Sequence, residues 1–302
     1  MGFVLFAIVL APTLAGAPPE IRVVAPPSLA PIAARVRGYD TARLLEAMRL
    51  VGLETAGPPI TVMLVEEGSP EALSAPSWAT GYARGNSGVI VLIPSRAQTY
   101  PYGSLESLLH HEVTHILIDR AAAGRPVPRW FHEGLAMAAT RGWDLEDRTR
   151  LIFEMIPGRE ESLDEIDALF GMGAGPANRA YALSGALVRD LLAKYGPSVP
   201  GEILAGVARG VSFDDAFLRT TGMSLDAATL GFYRRQNLWN RWIPFLTSGF
   251  TIWTTITLLA IWAIRRRRAR DAMKKEQWAL EEAMIEPLEP IERFEPRKDW
   301  EN

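Results

Sequence analysis

The sequence predicts an α+β fold followed by one membrane-spanning helix, on three observations. Residues 21–93 alternate short β-type apolar runs with a helical stretch, residues 104–241 read as helix almost throughout, and residues 243–264 carry no charge. A length of 302 residues allows one or two domains, and 48% hydrophobic with 22% charged residues is the balance of a globular chain rather than a disordered one. A net charge of -3 provides no electrostatic footprint for nucleic acid, so no such partner is expected. With no cysteine, disulfides, thiolate metal sites and cysteine nucleophiles are excluded, and any metal must be held by histidine and carboxylate.

Taken in order, Met1 to Ala17 is apolar through Leu10 and ends in Leu14-Ala15-Gly16-Ala17, which fits a small-residue cleavage site. It reads as a signal peptide, with an uncleaved N-terminal anchor as the alternative. Ile21 to Val24 is a short β-type run, and Pro31 to Val51 has helical spacing broken at Gly38-Tyr39. Ile60 to Val65 and Val89 to Ile93 read as buried strands, so this part forms an α/β layer. Helices are then expected near 104–120, 129–141, 144–156, 177–195, 199–208, 212–220 and 224–241, with residues 171–176 as a flexible joint.

At about 1.5 Å per residue the 22 uncharged residues from Ile243 to Ile264 span roughly 33 Å, enough for a hydrocarbon core of about 30 Å. Trp239 and Trp242 precede the run and Arg265 to Arg268 follow it. Six basic residues lie within ten positions after it (Arg265 to Arg268, Arg270 and Lys274) against three before it (Arg234, Arg235 and Arg241). That asymmetry predicts a cytoplasmic tail at 265–302 and a periplasmic or extracellular domain at 18–242, anchored in a bacterial cell membrane. Arginine outnumbers lysine 28 to 4, a bias associated with GC-rich bacterial genomes.

All four histidines fall between His110 and His132. His111-Glu112-Val113-Thr114-His115 is H-E-x-x-H, and on a helix the i and i+4 imidazoles share a face and can hold one Zn2+ ion. Glu112 is then beside the metal rather than on it, where it can act as general base toward an attacking water. A third protein ligand is required, and the best candidate is Glu133 in Trp130-Phe131-His132-Glu133-Gly134-Leu135-Ala136. His110 and His132 are expected at the surface or behind the ligands. Asp119, one turn beyond His115, either orients a ligand imidazole or pairs with an arginine at the helix end.

H-E-x-x-H followed by W-x-x-E-G-x-A resembles the gluzincin metallopeptidases, close to the W-L-N-E-G-F-A of aminopeptidase-N-like enzymes. The stretch from Ile60 to Arg234 is similar to small bacterial peptidase-MA-like domains. The resemblance implies a zincin-like fold, zinc ligands His111, His115 and Glu133, catalytic Glu112 and a peptide or protein substrate. It also implies an oxyanion donor on a helix after the glutamate helix, where Tyr181 lies, with Tyr100 and Tyr102 as rivals. Val89 to Ile93 would be the edge strand that binds an extended peptide, unless it is an internal strand.

The reading favoured by these residues is a membrane-anchored zinc endopeptidase. A non-catalytic zinc-binding assembly module of the envelope is the alternative, although a scaffold has no need of Glu112. An aminopeptidase is the third reading. Aminopeptidase-N-like enzymes carry a G-x-M-E-N motif whose glutamate holds the substrate amine, and Tyr82 to Pro94 contains no glutamate.

Overall fold

The computed structural model describes residues 16–284 apart from 85–86, 98–100, 141–150, 152–159 and 247–248. The leader expected at 1–17 (except its last two residues), the helix expected near 144–156 (except Leu151) and Tyr100 lie outside the described residues. The chain divides into two compact units, Met1–Leu238 and Trp239–Asn302.

The first unit begins with β1 (Ile21–Val24), α1 (Ala30–Arg37), α2 (Leu44–Leu50), β2 (Ile60–Leu64), α3 (Pro70–Ser74), β3 (Gly81–Arg84) and β4 (Val89–Leu92). The interruption expected at Gly38-Tyr39 separates α1 from α2, where the Asp40 carboxylate accepts a hydrogen bond from the Ala42 amide at 2.8 Å. The four strands form one sheet in the order β1-β2-β4-β3, with β1, β2 and β4 parallel and β3 antiparallel to β4. β4 is therefore internal, the second of the two positions the sequence left open for it. The edge beside it is β3, a Gly-Tyr-Ala-Arg segment too short and too polar to declare itself by alternation.

The helices that follow are α4 (Leu105–Ala121), α5 (Arg129–Thr140), α6 (Leu163–Leu169), α7 (Ala174–Tyr195), α8 (Val199–Ala208), α9 (Phe213–Thr221), α10 (Leu225–Leu246) and α11 (Gly249–Met284). α6 was not foreseen, although Ser162 and Glu165 form a capping box at its start. One face of the sheet (Ile60, Val62, Leu64, Ile90, Leu92) packs into the main core with Leu108, Leu109, Val113 and Ile116 of α4. The other face, with Val65, Val91 and Ile93, joins Ala72 of α3 in a smaller cluster.

Two parts of the expected fold class are corrected. The described chain is mostly helical with a small sheet of four-residue and five-residue strands, which corrects the α+β class expected for it. The transmembrane helix expected at 243–264 is not found: among the described residues no helix is long and apolar enough to cross a membrane. The apolar run is shared between two helices, α10 ending at Leu246 and α11 starting at Gly249. Within α11 the uncharged part ends at Ile264, after about 24 Å of helix, short of a roughly 30 Å hydrocarbon core. The topology read from the arginines presupposed that span.

Candidate metal centre

α4 starts at Ser104, whose hydroxyl accepts from the Ser107 amide at 3.1 Å. Its residues from Leu108 to Ile118 are all buried, polar ones included, so the helix runs through the interior instead of along a surface. Such a helix can carry His111, Glu112 and His115 only if other elements bring groups that satisfy them. α5 does this for the histidines. Its first two amides, at Arg129 and Trp130, are capped by the Asp167 carboxylate of α6 at 3.1 and 2.5 Å, a contribution that no local motif announces.

The Gly134 that follows Glu133 has a packing reason. A Cβ at this position would lie 2.3 Å from the Ser184 carbonyl oxygen of α7, so only glycine lets the two helices approach as they do. Capped at one end and pressed against α7 in its middle, α5 delivers Glu133 to the face of α4 that bears the histidines.

The structure brings His111, His115 and Glu133 together, each offering one donor atom within 4.8 Å of the others. Glu133 Oε2 lies 3.2 Å from His111 Nε2 and 3.4 Å from His115 Nε2. Tetrahedral zinc with bonds of about 2.0–2.2 Å to nitrogen and oxygen requires ligand-to-ligand edges of roughly 3.3–3.5 Å, which both distances from Glu133 approach, and the two imidazole donor atoms lie within 4.8 Å of each other, so the donor set fits the ion. Burial opposes ionisation of Glu133, but the adjacent His115 and His111 outweigh it and hold the carboxyl well below the usual range. A carboxylate kept ionised beside two imidazoles is a donor set suited to a borderline cation.

Glu112 is buried beside this cluster, and burial, with the Glu133 charge second, pushes its carboxyl well above the usual range. With His115, Glu133 and Tyr181 it faces a cleft of about 750 Å³, whose opposite wall includes Thr80, Gly81 and Tyr82 at the start of β3. Tyr181 of α7 is buried and its ring lies 6.4 Å from that of His111. Burial and the Glu133 charge raise its phenol, which keeps the hydroxyl protonated and able to donate. Tyr102 also reaches the site, its ring edge-on to His111 at 4.9 Å.

His110 does not join the cluster. It is buried away from the cleft, and its Nε2 has no hydrogen-bond partner among the described residues. His132 instead lies against a member of the cluster: its Nδ1 is 2.7 Å from Nδ1 of His115, and its Nε2 is 3.1 Å from Oδ1 of Asp119. Asp119 therefore touches His132 and not His115, one turn before it on α4. The sequence places His132 beside Glu133, but nothing in it announced the contact with His115.

A family model described as Peptidase MA superfamily matches residues 55–243. No curated protein matches the chain.

Proposed function

Because the chain belongs to the Peptidase MA superfamily, we propose that its first unit is a zinc endopeptidase using His111, His115 and Glu133 as ligands and Glu112 as general base. The observation that carries this reading is the convergence of two imidazoles and a carboxylate, with Glu133 Oε2 3.2 and 3.4 Å from the two Nε2 atoms, at a cleft lined by His115, Glu133 and a second buried carboxyl group, that of Glu112. Zinc held there would supply Lewis-acid polarisation of a carbonyl and a lowered pKa for water.

The remaining work falls to the chain's own groups. Glu112 takes a proton from the water that attacks the scissile carbonyl and delivers it to the departing amine. Tyr181 donates its hydroxyl hydrogen to the oxygen that gains charge, at a site where burial excludes competing water. The free edge of β3 offers backbone groups to an extended peptide, which orients the substrate by strand addition. With no glutamate between Tyr82 and Pro94 to hold a free amine, the cleft favours cleavage within a chain.

The test compares the full-length protein with Glu112→Gln on a mixed peptide library, with metal content measured on both. Equal zinc with turnover lowered by about 10²–10⁴-fold in the variant is expected. A wild-type protein that holds zinc and cleaves nothing would support the non-catalytic assembly module instead.

A further inference from the structure

We propose that His132 and Asp119 form a two-step relay that orients His115, a role that rests on the metal-ligand assignment above. The argument is one of donors and acceptors. An imidazole that offers the Nε2 lone pair to a cation must carry its hydrogen on Nδ1. His115 Nε2 is the atom near Glu133, at 3.4 Å, so as a ligand His115 is the Nδ1–H tautomer. Its Nδ1 lies 2.7 Å from Nδ1 of His132, and only one hydrogen fits between two nitrogens at that distance. His132 Nδ1 must then accept, which leaves its hydrogen on Nε2, and Nε2 meets the Asp119 carboxylate at 3.1 Å. Every hydrogen in the chain from Asp119 to His115 is thereby assigned.

The rings of His115 and His132 are tilted by only 28° with centroids 4.7 Å apart, a geometry compatible with the contact between their Nδ1 atoms. All three groups are joined through two elements: His115 and Asp119 are one turn apart on α4, and His132 enters from α5 next to Glu133. A carboxylate that holds a ligand histidine directly is a common arrangement. Here a second imidazole is interposed, so that α5 supplies both the third ligand and the group that fixes the second. His132 and Asp119 are positioning residues, and their effect is read in how tightly the cation is held.

The experiment uses the full-length protein labelled with ¹⁵N-histidine and loaded with zinc. Long-range proton–nitrogen spectra should show His115 with hydrogen on Nδ1 and His132 with hydrogen on Nε2. Hydrogen on Nδ1 of His132 would overturn the relay. Chelator competition on the same protein should show zinc affinity lowered by about 10–100-fold in both His132→Phe and Asp119→Ala. The double variant should lose no more than the worse single one, because both changes break one chain. His132→Asn, which retains an acceptor, should recover part of the affinity that phenylalanine, similar in bulk, does not. Wild-type zinc affinity in both single variants would overturn the relay and leave the ligand set standing. Failure of the wild-type protein to bind zinc would remove the ligand set and the relay with it.

Discussion

Replacing Gly134 by alanine should damage both the stability of the first unit and its hold on zinc. The added Cβ would lie 2.3 Å from the Ser184 carbonyl oxygen and 2.7 Å from Val188 Cγ2, whereas ordinary contacts begin near 3.4 Å. One neighbour is backbone in the middle of α7, so the conflict is relieved only by moving α5 and α7 apart by about 1 Å. Overpacking of this kind costs about 2–3 kcal/mol, which for a unit of this size lowers Tm by roughly 4–12 °C. Glu133 is the adjacent residue, and metal–ligand distances tolerate only about 0.2 Å, so zinc affinity should fall on the order of tenfold or more. Differential scanning calorimetry and chelator competition measure the two effects. Gly185→Ala is the control, because its Cβ would meet only the flexible ends of Arg189 and Met137 at 3.3 Å. A Gly134→Ala protein with Tm within a degree of wild type and unchanged zinc affinity would refute the reasoning.

Glu133→Ala, His111→Ala or His115→Ala should each leave the purified protein without stoichiometric zinc by elemental analysis, whereas Glu112→Gln should retain it. Tyr181→Phe should lower kcat by about 10²–10³-fold with KM little changed, because the donated hydrogen bond develops in the transition state; steady-state kinetics on a cleaved peptide would show this. If activity survives that change, the donor is Tyr102, whose ring also reaches His111. Asp167→Ala should lower stability by about 1 kcal/mol in denaturant titration, since two α5 amides lose their acceptor.

α4 and the cluster of His111, His115 and Glu133 were legible because their signals are local. His111 and His115 are one turn apart, and Glu133 sits in a run with its own apolar period, so neither needs the tertiary fold to be recognised. β4 was legible as an uninterrupted apolar run and β2 as a run broken only by Thr61. What escaped was set by tertiary contacts. β3 is a strand because β4 pairs with it from Gly81 opposite Leu92 to Arg84 opposite Val89, a fact absent from Gly-Tyr-Ala-Arg itself. Asp167 and Ser184 matter through residues some fifty or fewer positions away, and Asp119 through an imidazole from another helix. The membrane span is a different case: counting uncharged residues from Ile243 to Ile264 ignores where helices end, and the described part of the run in α11, from Gly249 to Ile264, is too short for a span.

The clamping of α5 by Asp167 at one end and by the approach to Ser184 in its middle also bears on which ions the site admits. A loosely held glutamate would shift to suit whatever cation arrived, and discrimination would then rest on donor chemistry alone. Here the distances from Glu133 to the two imidazoles are set by helix packing, at 3.2 and 3.4 Å. Calcium prefers six to eight oxygens at about 2.3–2.6 Å, and the clamped triad can neither widen to that radius nor supply that many oxygens. With a metal held there, the interior contacts of two helices would act as a gauge, disfavouring a large, hard ion by dimension while leaving the smaller transition metals to compete for the position by affinity and supply.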